Sequence, residues 1–499
     1  MRSPGPARIG VALPLFLFAA CTALDNGADL VPLGSAGKGG GSSVSDGGGA
    51  SEPGSSAAAG KAVGGSSSGA GEAGAANAAA GAAGASAGET GCPDAGERTQ
   101  TLLGEAGEVV LTADTSWTCE HEYRLQSNVI VAPGVTLSVE PGTTIASDSK
   151  VMLLVQRGGR LAAAGSKEQP ITFTSSKPEG SRAPGDYRGV VLIGDGLSHS
   201  TTAPVHDTLS DARAHYGGGQ DGNQVGSCGS LRYVRIEFAG GSLDDAALPA
   251  GALTLAGCGT NTVIDHVQVH RATDGVGLLG GTVGLRHVIV TNNLFGEAIE
   301  WAGGYAGTMQ FIVAQSLAAS AAIQGSNSVA DPLTLPVSRP TIYNATLVGS
   351  EPLVTGQHFG FLLQHGSRAV FKNSIIQGFA DAAFDLRVDN AVLANELGPG
   401  KAIDISHTLM YANDALYTVK AQPLSGMESM RTQDPSLTSA AYPSAAMPDA
   451  TPSFAPQDST VNTQVAPAPA GFDATAGYRG AVPQDGADWT LGWTRFPLN

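Results

Sequence analysis

The chain has 499 residues, 69 of them glycine, and a formal net charge of -17 from 27 basic and 44 acidic residues. A surface this acidic, with no Lys/Arg cluster to counter it, repels phosphate backbones and argues against nucleic-acid binding. Charged residues are only 14% of the chain, so solubility falls to Ser, Thr, Asn, Gly and the acids.

Arg2 and Arg8 make a short positive start, and Ile9 to Ala20 is an apolar run of about a dozen residues broken by Pro14. That run is too short to cross ~30 Å of hydrocarbon as a helix. A positive start, a short apolar core and small residues before a cut are the pattern of a secretory signal. Ala19 and Ala20 stand directly before Cys21, and this tripeptide resembles a bacterial lipobox, with Phe18 where Leu is usual and Leu17 beside it. The resemblance implies cleavage after residue 20 and lipidation of Cys21; ordinary signal-peptidase cleavage is the alternative. Several acyl chains on one residue hold a protein stably on a membrane. Thr22 and Ala23 follow, with no Asp at the second mature position. By resemblance to lipoprotein sorting, that implies the outer membrane of a Gram-negative cell envelope.

From about Asn26 to Gly91 the sequence is Gly, Ala and Ser with scattered charges, no aromatic residue and no hydrophobic period. Such a segment buries too little surface to offset its ordering entropy. As a coil, ~65 residues span roughly 45 Å, enough reach to hold a body away from a membrane. The body begins near Cys92. Beyond Cys21 four cysteines remain, Cys92, Cys119, Cys228 and Cys258, and an even number in an exported chain favours disulfides. Three connectivities exist; proximity favours Cys92–Cys119, closing a terminal cap, and Cys228–Cys258, pinning a loop across neighbouring coils. No CxxC or His/Cys spacing suggests a metal.

The body repeats itself. V-A-P-G-V-T-L at 131–137 returns as V-Q-R-G-G-R-L at 155–161, an offset of 24 residues. Y-V-R-I-E at 233–237 returns at 266–270, 287–291 and 310–314, with weaker echoes at 342–348 and 370–376. Units of 21–24 residues made of short β-branched strands and Gly/Asn/Asp turns leave no room for a helix, and read as coils of a solenoid. Two inward columns are expected: Val234, Val267, Val288 and Phe311, then Ile236, Val269, Val290 and Val313. Tyr233, His266, His287 and Gln310 are expected to form an outward column. The organisation is therefore a signal peptide at 1–20, a lipidated cysteine and linker at 21–91, an N-terminal cap region at 92–130, a parallel β-helix with loop insertions at 131–470, and a C-terminal cap at 471–499.

Several pieces are specific together: G-V-T-L-S-V-E-P-G-T-T-I at 134–145, Q-P-I-T-F-T-S at 169–175, L-R-Y-V-R-I-E-F-A-G at 231–240, G-G-T-V at 280–283, W-A-G-G-Y-A-G at 301–307 and D-W-T-L-G-W-T at 488–494. From about residue 120 onward the chain resembles a group of bacterial secreted or surface β-helix lipoproteins. That resemblance implies an all-β, right-handed parallel β-helix and no established reaction. The group often carries paired Asp at turns; here one turn reads Thr273-Asp274-Gly275 and another keeps Glu297 and Glu300.

Asp274, Glu297 and Glu300 are the candidates for a Ca²⁺ site or a carboxylate pair for sugar chemistry, against a plainer role as turn and solvent-facing acids. His266 and His287 should stack one coil apart with His270 on the same face, a surface ladder rather than a metal centre, since no recognisable ligand spacing supports one. Asn344 and Asn373 occupy equivalent places and are expected to bond turn backbone. Trp489 and Trp493 are expected to close the last open coil. A long insertion at 175–230 holds His199, His206, Asp207, Asp211, His215 and Asp221, where a partner would be sought. No nucleophile elbow, P-loop, dinucleotide fingerprint or H-E-x-x-H is present in the sequence. The expectation is a non-enzymatic surface protein with no cofactor, Ca²⁺ being the one candidate, that contacts the membrane through its lipid and meets extracellular polysaccharide or another surface protein. The alternative is a carbohydrate-active β-helix enzyme.

Overall fold

In the computed structural model of the protein, the described residues are 91–205, 212–240, 251–293, 296–317, 321–349, 358–387, 395–413, 415–417, 430, 432–439, 451–486 and 488–499. The signal, Cys21 and the linker lie outside them.

Two parallel sheets wind around one apolar core. Eleven strands, from Val109–Leu111 to Ala415–Tyr417, form one wall. At ~4.8 Å per rung they make a rod about 50 Å long. A sixteen-stranded sheet forms the other two walls. In the first coils these walls use separate strands, such as Arg160–Ala164 and Ile171–Ser175. From Gly229–Glu237 to Thr341–Val348 one strand covers both: the first half of Gly229–Glu237 pairs with Arg160–Ala164 and its second with Ile171–Ser175. The fold is the expected right-handed parallel β-helix.

The bend between the two walls is made by one residue per coil. Tyr233, His266, His287, Phe311, Asn344, Asn373 and His407 all sit at φ between 49° and 61°. The left-handed region costs an ordinary L-residue roughly 1–2 kcal/mol. Asn tolerates it best; the aromatic members recover the cost by stacking on their neighbours one rung away. The first strand half ends in an outward residue, the corner residue also faces out, and alternation restarts behind it. Val234, Val267, Val288, Ile312 and Ala345 therefore fall in one inward column, and Ile236, Val269, Val290, Ala314 and Leu347 in the next, all fully buried. Each buried Val or Ile contributes about 1.5–3 kcal/mol.

This register corrects the sequence reading at one coil. Phe311, not Gln310, continues the corner column, and Ile312 and Ala314 point inward where Phe311 and Val313 were expected. A slip of one residue exchanges the faces of a strand, and Q-F-I-V-A is apolar enough to fit either register. The earlier repeat holds as read: Val131 pairs with Val155, Leu137 pairs with Leu161, and the Gly134 N–H donates to the Gly158 carbonyl at 3.0 Å.

Three boundaries also change. Coiling starts before residue 131: Thr99–Leu103, Val109–Leu111 and Thr115–Trp117 are already paired in parallel with the following coil. The supposed 175–230 insertion contains a regular rung, Gly189–Ile193, paired on both sides. The C-terminal segment does not close the last coil but runs back along the side of the rod, as described below. The cysteines pair as Cys92–Cys119 and Cys228–Cys258, with Cα separations of 5.4 and 5.7 Å, and the second bridge is buried in the core.

Candidate functional site

The corner column is the most chemically populated line on the rod. Tyr233, His266, His287 and Phe311 stack face to face, with ring centroids 4.4, 4.3 and 4.8 Å apart. Trp493 meets Tyr233 edge-on at 5.7 Å, and Trp489 meets His287 at 5.2 Å and His266 at 6.0 Å. Arg286 lies over the Phe311 ring and pairs with Asp473 at 3.2 Å.

Asp265 precedes the corner on the His266 strand, so its side chain also points outward. The Nδ1–H groups of His266 and His287 both donate to its Oδ1, at 3.0 and 2.8 Å, and Arg232 lies 3.6 Å from its Oδ2. Burial raises the Asp265 pKa, but the hydrogen bonds from the two imidazoles outweigh it and hold the carboxyl well below the usual carboxylate range. Burial pushes the His287 imidazole down, against the opposing pull of Asp265. Among the described residues, Asp265, His266 and His287 are the group of potential metal ligands whose donor atoms all lie within 4.8 Å of one another. The sequence reading placed the two histidines together and missed Asp265. The signal was present in the dipeptide Asp265-His266, since stacking His266 on His287 brings the adjacent carboxylate along.

The C-terminal segment covers this column. Asn373 Nδ2 donates to the Ala466 carbonyl and its Oδ1 accepts from the Ala466 N–H, both at 2.8 Å. Asn344 Nδ2 donates to the Tyr478 carbonyl at 2.6 Å. Gln310 holds the N–H and carbonyl of Asp473, and Gln268 those of Arg495, in the same paired manner. His270 lies beneath the end of the segment: its Nε2–H donates to the Pro497 carbonyl and its Nδ1 accepts from the Thr291 hydroxyl. Fully buried, the imidazole is pushed down to about 3. The buried Arg479 guanidinium donates to the carbonyls of His407, Val461, Thr463 and Gln464. Side chains thus satisfy backbone groups of a segment that, among the described residues from 457 on, pairs with no strand. The two asparagines share one column as expected, but they bond this strap and not the turns of the helix. Trp489 and Trp493 belong to the strap, and Trp493 shares one buried apolar cluster with Ile289 and Val313 of the outer sheet face.

The predicted acids divide. Asp274 and Glu297 occupy equivalent turn positions on successive coils, two residues before the paired Val276 and Ile299. The Gly275 N–H donates to the Glu297 carbonyl at 2.9 Å. Burial and then the Glu297 charge push the Asp274 carboxyl up to about 7, with Thr273 pulling the other way. Glu300 sits apart on the wall strand Ile299–Ala302, level with Gly277 and Gln324. In the former insertion, the His199 Nε2–H donates to the Pro336 carbonyl, His215 offers its carbonyl to Arg157, and Asp221 is exposed. His206, Asp207 and Asp211 lie outside the described residues. Val205 and Tyr216 from this region pack on the outer side of the eleven-stranded wall.

Stacked parallel coils around one apolar core define the class: a parallel β-helix. The family model for pectate-lyase-like β-helix domains matches residues 109–453, and the chain belongs to that family. No curated protein and no solved structure matches the chain.

Proposed function

We propose that the protein is a lipid-anchored outer-membrane lipoprotein that holds a rigid β-helix at the cell surface as a non-enzymatic platform for extracellular polysaccharide or another surface protein. The observation that carries this reading is that the chain covers parts of two of its three walls. The strap lies over one of the two walls of the sixteen-stranded sheet, the one that holds Ile289, Val313 and Val348, and Val205 and Tyr216 lie over part of the eleven-stranded wall. An enzyme that threads a glycan along the rod needs such a wall open. The outward acids nearby are engaged locally: Asp265 with two histidines, Asp404 with Lys372, Asp473 with Arg286 and Glu396 with Arg368. The anchor rests on Arg2, Arg8, the apolar run and Cys21. Cys21→Ser is expected to move the body from the membrane fraction to the soluble one; a body that stays with the membrane removes the anchor. A glycan screen that reads binding and cleavage together is expected to give binding alone.

A second reading has one observation in its favour. Asp274, pushed up to about 7 beside Glu297, is a carboxyl that holds a proton near neutrality next to a second acid, which is the pairing glycoside chemistry uses. Cleavage of a polysaccharide that is lost in both Asp274→Asn and Glu297→Gln would establish this reading and overturn the first.

A further inference from the structure

We propose that Asp265, His266 and His287 form a binding site for a divalent transition-metal ion of the zinc or cobalt class, held by one carboxylate oxygen and two imidazole nitrogens. Neither Asp265 nor a metal at the histidines was expected from sequence.

The geometry carries the proposal. Protein ligands bind such ions at ~2.0–2.2 Å, so two ligand atoms of one ion stand about 3 Å apart. The two edges from Asp265 Oδ1 to the histidine Nδ1 atoms are 3.0 and 2.8 Å. The ligands come from consecutive rungs of a rigid sheet, with Asp265 paired to Arg286 and His266 level with His287. Their backbone positions are therefore set before any ion arrives, and this preorganisation lowers the cost of binding. The site is walled by Tyr233 beyond His266, by Phe311 beyond His287 and by the edges of Trp489 and Trp493. All three ligands remain 17–22% exposed at the side chain, which leaves an entry path and room for water to complete the coordination.

Ligand type selects the ion. Two imidazoles and one carboxylate suit zinc, cobalt or nickel, whereas calcium and magnesium take oxygen ligands. Two features limit affinity. Arg232 stands 3.6 Å from the far carboxylate oxygen and opposes a cation. Each neutral ring must carry its proton on Nε2 instead of Nδ1 to free the ligand nitrogen, and because the imidazoles are inclined by only 28°, an ion that takes both Nδ1 atoms must tip the rings toward each other out of their stack. Binding weaker than at a closed four-ligand zinc site is the consequence.

The test is a titration of CoCl₂ into the purified full chain carrying no histidine tag, followed by visible absorption. A single saturating ion with a nitrogen-ligand d–d band, displaced by ZnCl₂, is expected. His266→Phe and His287→Phe keep the ring ladder, because Phe311 already fills the same place one coil on. Each should weaken binding at least about tenfold with the melting temperature kept, and Asp265→Asn should do the same. His270→Gln, under the strap, should leave binding unchanged. Absence of a cobalt band up to millimolar metal, or a band that survives both Phe substitutions, overturns the assignment.

Discussion

Asn373 holds the strap to the rod through a pair of hydrogen bonds, and it does so from a left-handed corner, so two separate costs meet in one residue. Asn373→Gly removes both bonds to Ala466 while relieving the backbone. The Ala466 N–H and carbonyl are then left without their partner beneath a covered surface. Each such loss costs about 1–3 kcal/mol, so the pair costs about 2–4 kcal/mol where water gains partial access. Asn373→Ala loses the same bonds and adds a Cβ at φ 53°, a further ~1 kcal/mol or more. A solenoid unfolds in parts, so the informative assay is native-state hydrogen exchange across the strap. A strap opening made easier by 2–4 kcal/mol speeds exchange at Ala466 by about 30- to 1000-fold. Core amides such as that of Val267 should keep their protection. Unchanged exchange at Ala466 in Asn373→Gly would refute the clamp; the corner strain enters only when the rung itself unfolds, so equal loss of stability by the Gly and Ala variants in chemical denaturation would refute it.

Three further outcomes follow from buried groups. His270 falls to about 3 in the folded protein, below its ordinary 6.5, because burial favours the neutral ring. The unfolded chain therefore takes up the extra proton, and stability is full above about pH 6.5 and falls by ~1.4 kcal/mol per pH unit as pH drops toward 3. Acid titration of strap exchange should display that slope in the wild type and a flatter one in His270→Gln; equal slopes refute it. Asp274 has the opposite sign: raised to about 7, it favours the fold below pH 3.8 and loses that contribution as pH climbs through 7. Asp274→Asn should raise stability at pH 8 by about 2–4 kcal/mol in urea melts and leave it nearly unchanged at pH 4; no gain at pH 8 means that the carboxyl is solvated. The Cys228–Cys258 bridge closes a 30-residue separation, and the chain-entropy estimate for such a loop is about 3–4 kcal/mol. The double Cys→Ala variant should lose that amount in chemical denaturation, and a variant as stable as the wild type would place the stabilisation elsewhere.

The coils were legible because burial writes itself into sequence as a repeat. Val234, Val267 and Val288 recur because each must fill the same column. The cysteine pairing was legible by proximity. The corner was not: a left-handed bend usually advertises itself with Gly, and here Tyr, His and Phe occupy it, stabilised by rings one rung away that no local window contains. The same long-range stacking hid the true register at Phe311. Asp265 escaped notice because its partners are adjacent in one direction and a whole coil away in the other. Among the described residues the strap makes no ladder of its own, so no strand period marks it in the sequence. Its only traces were polar residues at outward places on covered strands, Gln268, Gln310, Asn344 and Asn373, and the aromatic D-W-T-L-G-W-T near the end.

The order of residues down the corner column follows from what lies on top of it. Where Trp489 and Trp493 cross, the corner residues are Tyr233, His266 and His287, rings that can meet an indole edge. Where the strap offers bare main chain, at Ala466 and Tyr478, the corner residues are Asn373 and Asn344, which can satisfy peptide groups. Phe311 lies between the two regimes, stacked on His287 on one side and within 6.4 Å of Tyr478 on the other. One backbone requirement, a left-handed residue once per coil, is thus met by two side-chain chemistries chosen by the strap. The histidines stand in a stack that a phenyl ring also joins at Phe311, and they alone of these stacked rings bring nitrogen atoms to Asp265. A ladder built only for packing had Phe available, as coil 311 demonstrates; the two imidazoles beside a carboxylate are the departure from it, and that departure marks the place on the rod where chemistry beyond packing is to be sought.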